Sequence, residues 1–460
     1  MSTVRPVKLP RFGGLNEPRP HLEDVEYKAR LTQARKAMQS DPRRFDVLVV
    51  YGDREHFANL AYLTGYDPRF EEALLLLSAD RARLLVGNEG MGYLPQADLG
   101  LEIEMFQELS LLGQPRGSSR PLRTILTEFG IGAGTRIGCV GWKYFTGALL
   151  PEGSLEVPAY LVDMLRGLAG AGNVANATDL FMNPRDGLRA INSADQIALM
   201  EWSAVRTSEG VLSALKHIKP GVREWDLEKY LVGQGMPLCC HTMVNFADNV
   251  RRGLSSPSDL QAAPGDAYQI AFGLWGSLTC RAGVVASGPA ELAPPLREFY
   301  PAYAAGYFDV VAAWYRSLRV GTRAGDVFAA AEAARKPELF EFAVNPGHLI
   351  HLDEWMHSPF EAGSDIPLAS GMAIQMDIIP VSMGPFCYSN TEDGVALADK
   401  ALRRDLQQRW PACWRRIQRR RRFMATQLGI ALDPSVLPLS NTPAWLPPYV
   451  TDLQQALTAF

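Results

Sequence analysis

Long hydrophobic runs are missing from this chain. The longest, residues 47–51 and 73–77 among them, fall far short of the roughly 18 apolar residues that a membrane span needs. No membrane association is expected. A one-signed charge excess is missing as well: 46 Lys and Arg stand against 50 Asp and Glu, a net −4, which offers no electrostatic reason to expect nucleic acid. Residues 1–20 hold no apolar segment of the secretory kind, so the expected compartment is the cytoplasm. Cysteine is sparse, with six in 460 residues and no CxxC or Cys/His zinc spacing. Only Cys239 and Cys240 are close in sequence, and adjacent cysteines rarely bridge each other. Reduced thiols used mainly for packing are expected.

What is present is ordinary globular composition, 47% hydrophobic and 21% charged, in a chain long enough for two or three domains without disulfides. Residues 1–20 read as an arm, because Pro6, Pro10, Pro18 and Pro20 prevent a regular helix. From residue 24 to about 185, helical periodicity alternates with short apolar runs such as FDVLVVY (residues 45–51), which implies an α/β unit. A second organisation opens with a long helix over residues 193–218, capped by Ser193 with Gln196. Strands and tight turns follow with helices beside them, so the fold class is α+β. The expected division is 1–185, 186–430 and a tail, 431–460, wrapping on folded surface. Residues 400–423 form a basic helix with nine arginines between Arg403 and Arg422. It is expected to kink at Pro411 and to pack through Leu406, Trp410, Trp414 and Ile417.

Three segments concentrate polar residues that packing does not account for. Residues 347–357 (GHLIHLDEWMH) hold His348, His351, Asp353, Glu354 and His357, three of the chain's seven histidines within ten residues. Asp377 sits in a run that otherwise reads as a buried strand, where a carboxylate needs a partner, a metal or a shifted pKa. Glu392-Asp393-Gly394 reads alone as a turn ahead of a strand, yet it can supply a carboxylate to the same region.

The order of these segments resembles the creatinase/prolidase/aminopeptidase P family. The matching stretches are NLAYLTG (residues 59–65), residues 186–197 and 218–227, APGDAYQIAFG (residues 263–273), Pro346-Gly347-His348, Gly371-Met372 and Glu392-Asp393-Gly394. Together they span most of residues 24–399. The resemblance implies a "pita-bread" catalytic domain behind a smaller α/β domain, and a homodimer. It also implies two divalent metals held by two Asp, one His and two Glu, oxygen-rich ligands that suit metals activating a shared water. His348 and Glu392 fall on two of these positions, and Asp377 on or near a third. Ala271 stands at the first Asp position, and the second falls at or near residues 280–282 (CRA), which hold no carboxylate. The family's catalytic His has no counterpart in residues 251–263; the nearest is His241. A second family His falls on Trp355, with His351 or His357 as substitutes.

The leading expectation is therefore a metal-independent, creatinase-like hydrolase that cleaves a C–N bond of a small non-peptide substrate. His348, His351, Asp377 and Glu392 would be catalytic. His241, His357, Arg281 and Trp355 would bind substrate. The expected cofactor is none. One alternative is a metal-dependent Xaa-Pro peptidase or metallo-lyase with a reduced site, a single divalent ion such as Mn or Zn resting on His348, Asp377 and Glu392. The other is a non-catalytic binding protein on a decayed peptidase fold.

Overall fold

The computed structural model describes every residue except Gln96. The chain divides into two compact units, Leu22–Arg189 and a second formed by Met1–His21 with Ala190–Phe460. This corrects the expected three-part division. The arm and the tail both belong to the larger unit, and the change of unit comes at residue 190.

In the smaller unit the apolar runs become a six-stranded mixed sheet. Val47–Gly52 lies near its middle, antiparallel to Ala73–Ser78 and parallel to Ile137–Val140. Leu122–Glu128 and Ala159–Ala169 pack on it through Leu126, Leu161 and Leu165, against Val49, Leu76 and Cys139. Strands covered this way read as continuous apolar runs, which is why they were visible in the sequence.

The larger unit is built on an antiparallel sheet. Its order runs His348–Leu349, Ala373–Met376, Asn390–Leu397, Ser277–Val284, Ala267–Leu274, Met243–Phe246. The helix Ala194–Leu215 packs on this unit's core, its Ser193 hydroxyl accepting from the Gln196 amide (3.1 Å) as the cap requires. Helix Pro294–Ser317 keeps Pro301 inside it. The expected basic helix is two, Lys400–Arg409 and Pro411–Gln427, broken where Pro411 cannot donate to the preceding turn. Leu406 and Ile417 are buried against Ile197 and Ala204, and Trp410 and Trp414 pack at the edge.

Two arginines of that second helix, Arg416 and Arg420, are buried. Arg416 and Arg420 both reach the fully buried Glu201 (2.6 Å each), and Arg416 also pairs with Glu17 of the arm. Arg419 donates to the carbonyls of Arg11 and Phe12, and Trp202 to that of Glu17. The arm then reaches the other end of the chain, where Thr3–Pro6 pairs antiparallel with Gln455–Thr458.

Candidate functional site

Side chains two apart on a strand share a face, and the register lines up one row across the sheet. Met243 stands opposite Ala271, Ala271 opposite Cys280, and Cys280 opposite Glu392. The next row on the same face holds Asn245, Gln269, Ala282 and Asn390. Asn390–Leu397 is strand throughout, so Glu392-Asp393-Gly394 is not the turn that its composition suggests. Alternation places Glu392 on the site face and Asp393 on the other.

His348 enters this face from the edge strand, fully buried. Its Nδ1 hydrogen-bonds the Leu349 carbonyl (3.2 Å), which leaves Nε2 toward Glu354 Oε1 (3.1 Å) and Asp377 Oδ2 (3.8 Å). The Trp355 ring stacks on the imidazole at 4.0 Å and 21°, an arrangement that favours its cationic form. Burial pulls the His348 pKa down, but Glu354, the Leu349 carbonyl and Glu392 outweigh it, and the net shift is upward.

The carboxylates shift the other way from usual. Burial, then Glu392 and Glu354, push Asp377 well above the ordinary carboxylate range. Burial and Glu354 raise Glu392 to about 7, against the pull of His348 and the Asn390 and Gln375 amides. Asn390 donates to Glu392 Oε1 at 2.9 Å and accepts from Tyr307. Glu392 holds the Asp377 proton in place both by repulsion and as a hydrogen-bond partner. Beside the site a cavity of about 460 Å³ is lined by Ile379, Phe386 and Tyr388, with the Arg251 guanidinium 3.8 Å over the Phe386 ring.

The two aspartate positions of the expected metal set do not fit the ions. Ala271 and Cys280 stand there, and with Met243, Leu278 and Cys240 they make a small apolar cluster rather than an oxygen cage. Among the described residues no group of three or more His, Cys, Asp or Glu is arranged to hold a metal ion.

Of the expected site residues, His348, Asp377 and Glu392 come together, and Trp355 joins them as a support for His348. His351 is buried in the same loop. His357 closes that loop, its carbonyl accepting from the Leu349 amide (2.7 Å), while burial lowers the pKa of its ring. Two expectations are corrected. Arg281 points to the opposite face, where it pairs with Asp393 (2.8 Å) and donates to the Thr442 and Trp445 carbonyls. Both partners of that pair are completely enclosed, and removing one would cost about 3–5 kcal/mol. His241 is exposed and bonded to the Leu254 carbonyl (2.8 Å), outside the buried cluster. Glu354 is the site residue that sequence reasoning did not select, although it lies within the histidine-rich segment. Asn390 and Gln375 carried no signal beyond proximity.

Dipeptidase PepE from Mycobacterium ulcerans superposes at a TM-score of 0.64 with 18% identity, over 93% of this chain and 98% of that one. The prolidase from Pyrococcus horikoshii OT3 gives 0.61 at 16%, over 80% and 95%. The Xaa-Pro dipeptidase from Bacillus anthracis gives 0.59 at 16%, over 82% and 96%. The chain has the pita-bread fold. No family model and no curated protein matches it. Among the described residues, no helix is long and apolar enough to cross a membrane.

Proposed function

We propose that this protein is a metal-independent hydrolase that cleaves a C–N bond of a small non-peptide substrate by His/carboxylate acid–base chemistry. The observation that carries this reading is His348 within 3.1 Å of Glu354 and 3.8 Å of Asp377, with the pKa values of His348, Asp377 and Glu392 all raised, beside a row that offers no oxygen donors at 271 and 280. A carboxyl group that keeps its proton near pH 7 can give it to a departing nitrogen, and an ionised neighbour can take a proton from water. Asp377 and Glu392 suit the first task. Glu354, 3.1 Å from His348 Nε2, suits the second.

The floor supports a nitrogen-rich substrate. Asn245 Oδ1 and Gln269 Oε1 are buried acceptors without a partner, directly opposite each other across the strands. The Asn245 orientation follows from its Nδ2, which donates to the Ser255 carbonyl (3.1 Å). Buried acceptors demand donors, and the N–H groups of an amidine, guanidine or amine supply them.

The test is a screen of purified protein against guanidino, amidine and N-acyl compounds and Xaa-Pro dipeptides, with and without EDTA. Hydrolysis of a small C–N compound that survives EDTA and is lost in Asp377→Asn is the expected result. Turnover of an Xaa-Pro dipeptide only after Mn(II) is added would overturn it.

A further inference from the structure

Two thiols border the site and take no part in the chemistry above. Cys239 and Cys240 lie beside the end of the Ala267–Leu274 strand: Leu238 bridges to Leu274, and the Cys239 amide donates to the Gly273 carbonyl at 3.4 Å. In an extended strand, neighbouring side chains point to opposite faces. Here the backbone bends at both cysteines, and both sulfurs come over one Cα. A Cβ built on Gly273 would lie 2.5 Å from Cys239 Sγ and 3.0 Å from Cys240 Sγ. The two sulfurs fill the space that a side chain at 273 would need.

Exposure separates this pair from the other cysteines. Cys139, Cys280, Cys387 and Cys413 are buried, whereas Cys239 and Cys240 are partly open. Part of each of these two residues faces solvent. Cys240 also packs against the cluster of Met243, Ala271, Leu278 and Cys280 that backs Glu392.

We propose that Cys239 and Cys240 are an oxidant-sensitive pair that hydrogen peroxide closes into a vicinal disulfide. In the first step one sulfur attacks peroxide, becomes a sulfenic acid and releases one water. The second sulfur then attacks the first, forming the S–S bond and expelling a second water. Two thiols lose two hydrogens and two electrons, and one peroxide becomes two waters. Adjacent Cα atoms are about 3.8 Å apart across a trans peptide, shorter than disulfides usually span, so the bond is strained and readily reduced. That makes the change reversible. It also places it in the wall behind Cys280, where it alters the packing of the site.

The experiment is peptide mass mapping of the full-length protein after peroxide treatment and alkylation under denaturing conditions. The expected result is a peptide spanning Cys239 and Cys240 that is lighter by two hydrogens, resists alkylation, and recovers both alkylation sites after a dithiol reductant. In Cys239→Ser, Cys240 has no neighbour to trap its sulfenic acid and should retain oxygen instead. Full alkylation of both residues after peroxide, or addition of oxygen to the wild-type pair without loss of two hydrogens, would overturn the proposal. So would a Cys239→Ser protein in which Cys240 resists alkylation without gaining oxygen. These readouts are masses and do not depend on turnover, so failure of the proposed hydrolase leaves them interpretable.

Discussion

Glu392 concentrates the residue-scale argument, since its pKa sets both a chemical role and a stability dependence. Raised to about 7 by burial and by Glu354, it keeps its proton in the folded protein where the unfolded chain has already lost it. Between the ordinary Glu value and about 7 the unfolded state therefore binds fewer protons, and stability falls as pH rises. The contribution is complete at acid pH and gone above the folded pKa. We expect the melting temperature to drop from pH 5 to pH 8, and Glu392→Gln, which cannot ionise, to flatten part of that drop. Calorimetric melts at several pH values check it; parallel curves for the two proteins would contradict the assignment. At this scale the sequence was partly legible. His348, Asp377 and Glu392 stood out because polar residues in apolar segments need a reason. Arg281 and His241 misled because residue type does not say which face of a strand a side chain takes.

At the scale of elements, the decisive fact is register. Ala271, Cys280 and Glu392 lie in one cross-strand row, close enough for side chains to meet. Restoring carboxylates at the first two positions should recreate a cation site. The Ala271→Asp, Cys280→Asp double variant is expected to bind Mn(II) by titration calorimetry and to gain thermal stability when Mn(II) is added. In the absence of the ion it should be less stable than wild type, because two buried carboxylates then repel without a counter-charge. A folded double variant whose melting temperature ignores Mn(II) would show that the row does not converge as the register indicates. Sequence pattern located most of these strands, yet it misjudged Asn390–Leu397. Glu-Asp-Gly has turn composition, and only the partners on both faces, Cys280 and Asn390 on one and Arg281 on the other, allow two acidic residues inside a buried strand.

At the scale of the whole molecule, the two ends of the chain cooperate in the larger unit. The arm pairs with the last strand, and Glu17 joins the Arg416, Glu201 and Arg420 network. Deleting residues 1–21 should lower the unfolding temperature of the larger unit and leave that of Leu22–Arg189 unchanged, read by calorimetry together with limited proteolysis. Equal loss in both units, or in neither, would contradict the assignment of the arm.

The local elements were decided by the sequence alone. Hydrophobic periodicity, Ser193 as a cap, Pro411 as a break and continuous apolar strands act over a few residues, so the chain carries them wherever it folds. The order of motifs also carried the fold. Tertiary structure alone decided the destinations of the charges: Arg403, Arg416, Arg419, Arg420 and Arg421 of the basic segment reach the arm and the tail, and Arg281 turns away from the site. It alone also placed Glu354 on His348 and two sulfurs over Gly273. Such pairings depend on which distant segments share a sheet face, and a buried charge or acceptor finds its partner only once that face exists.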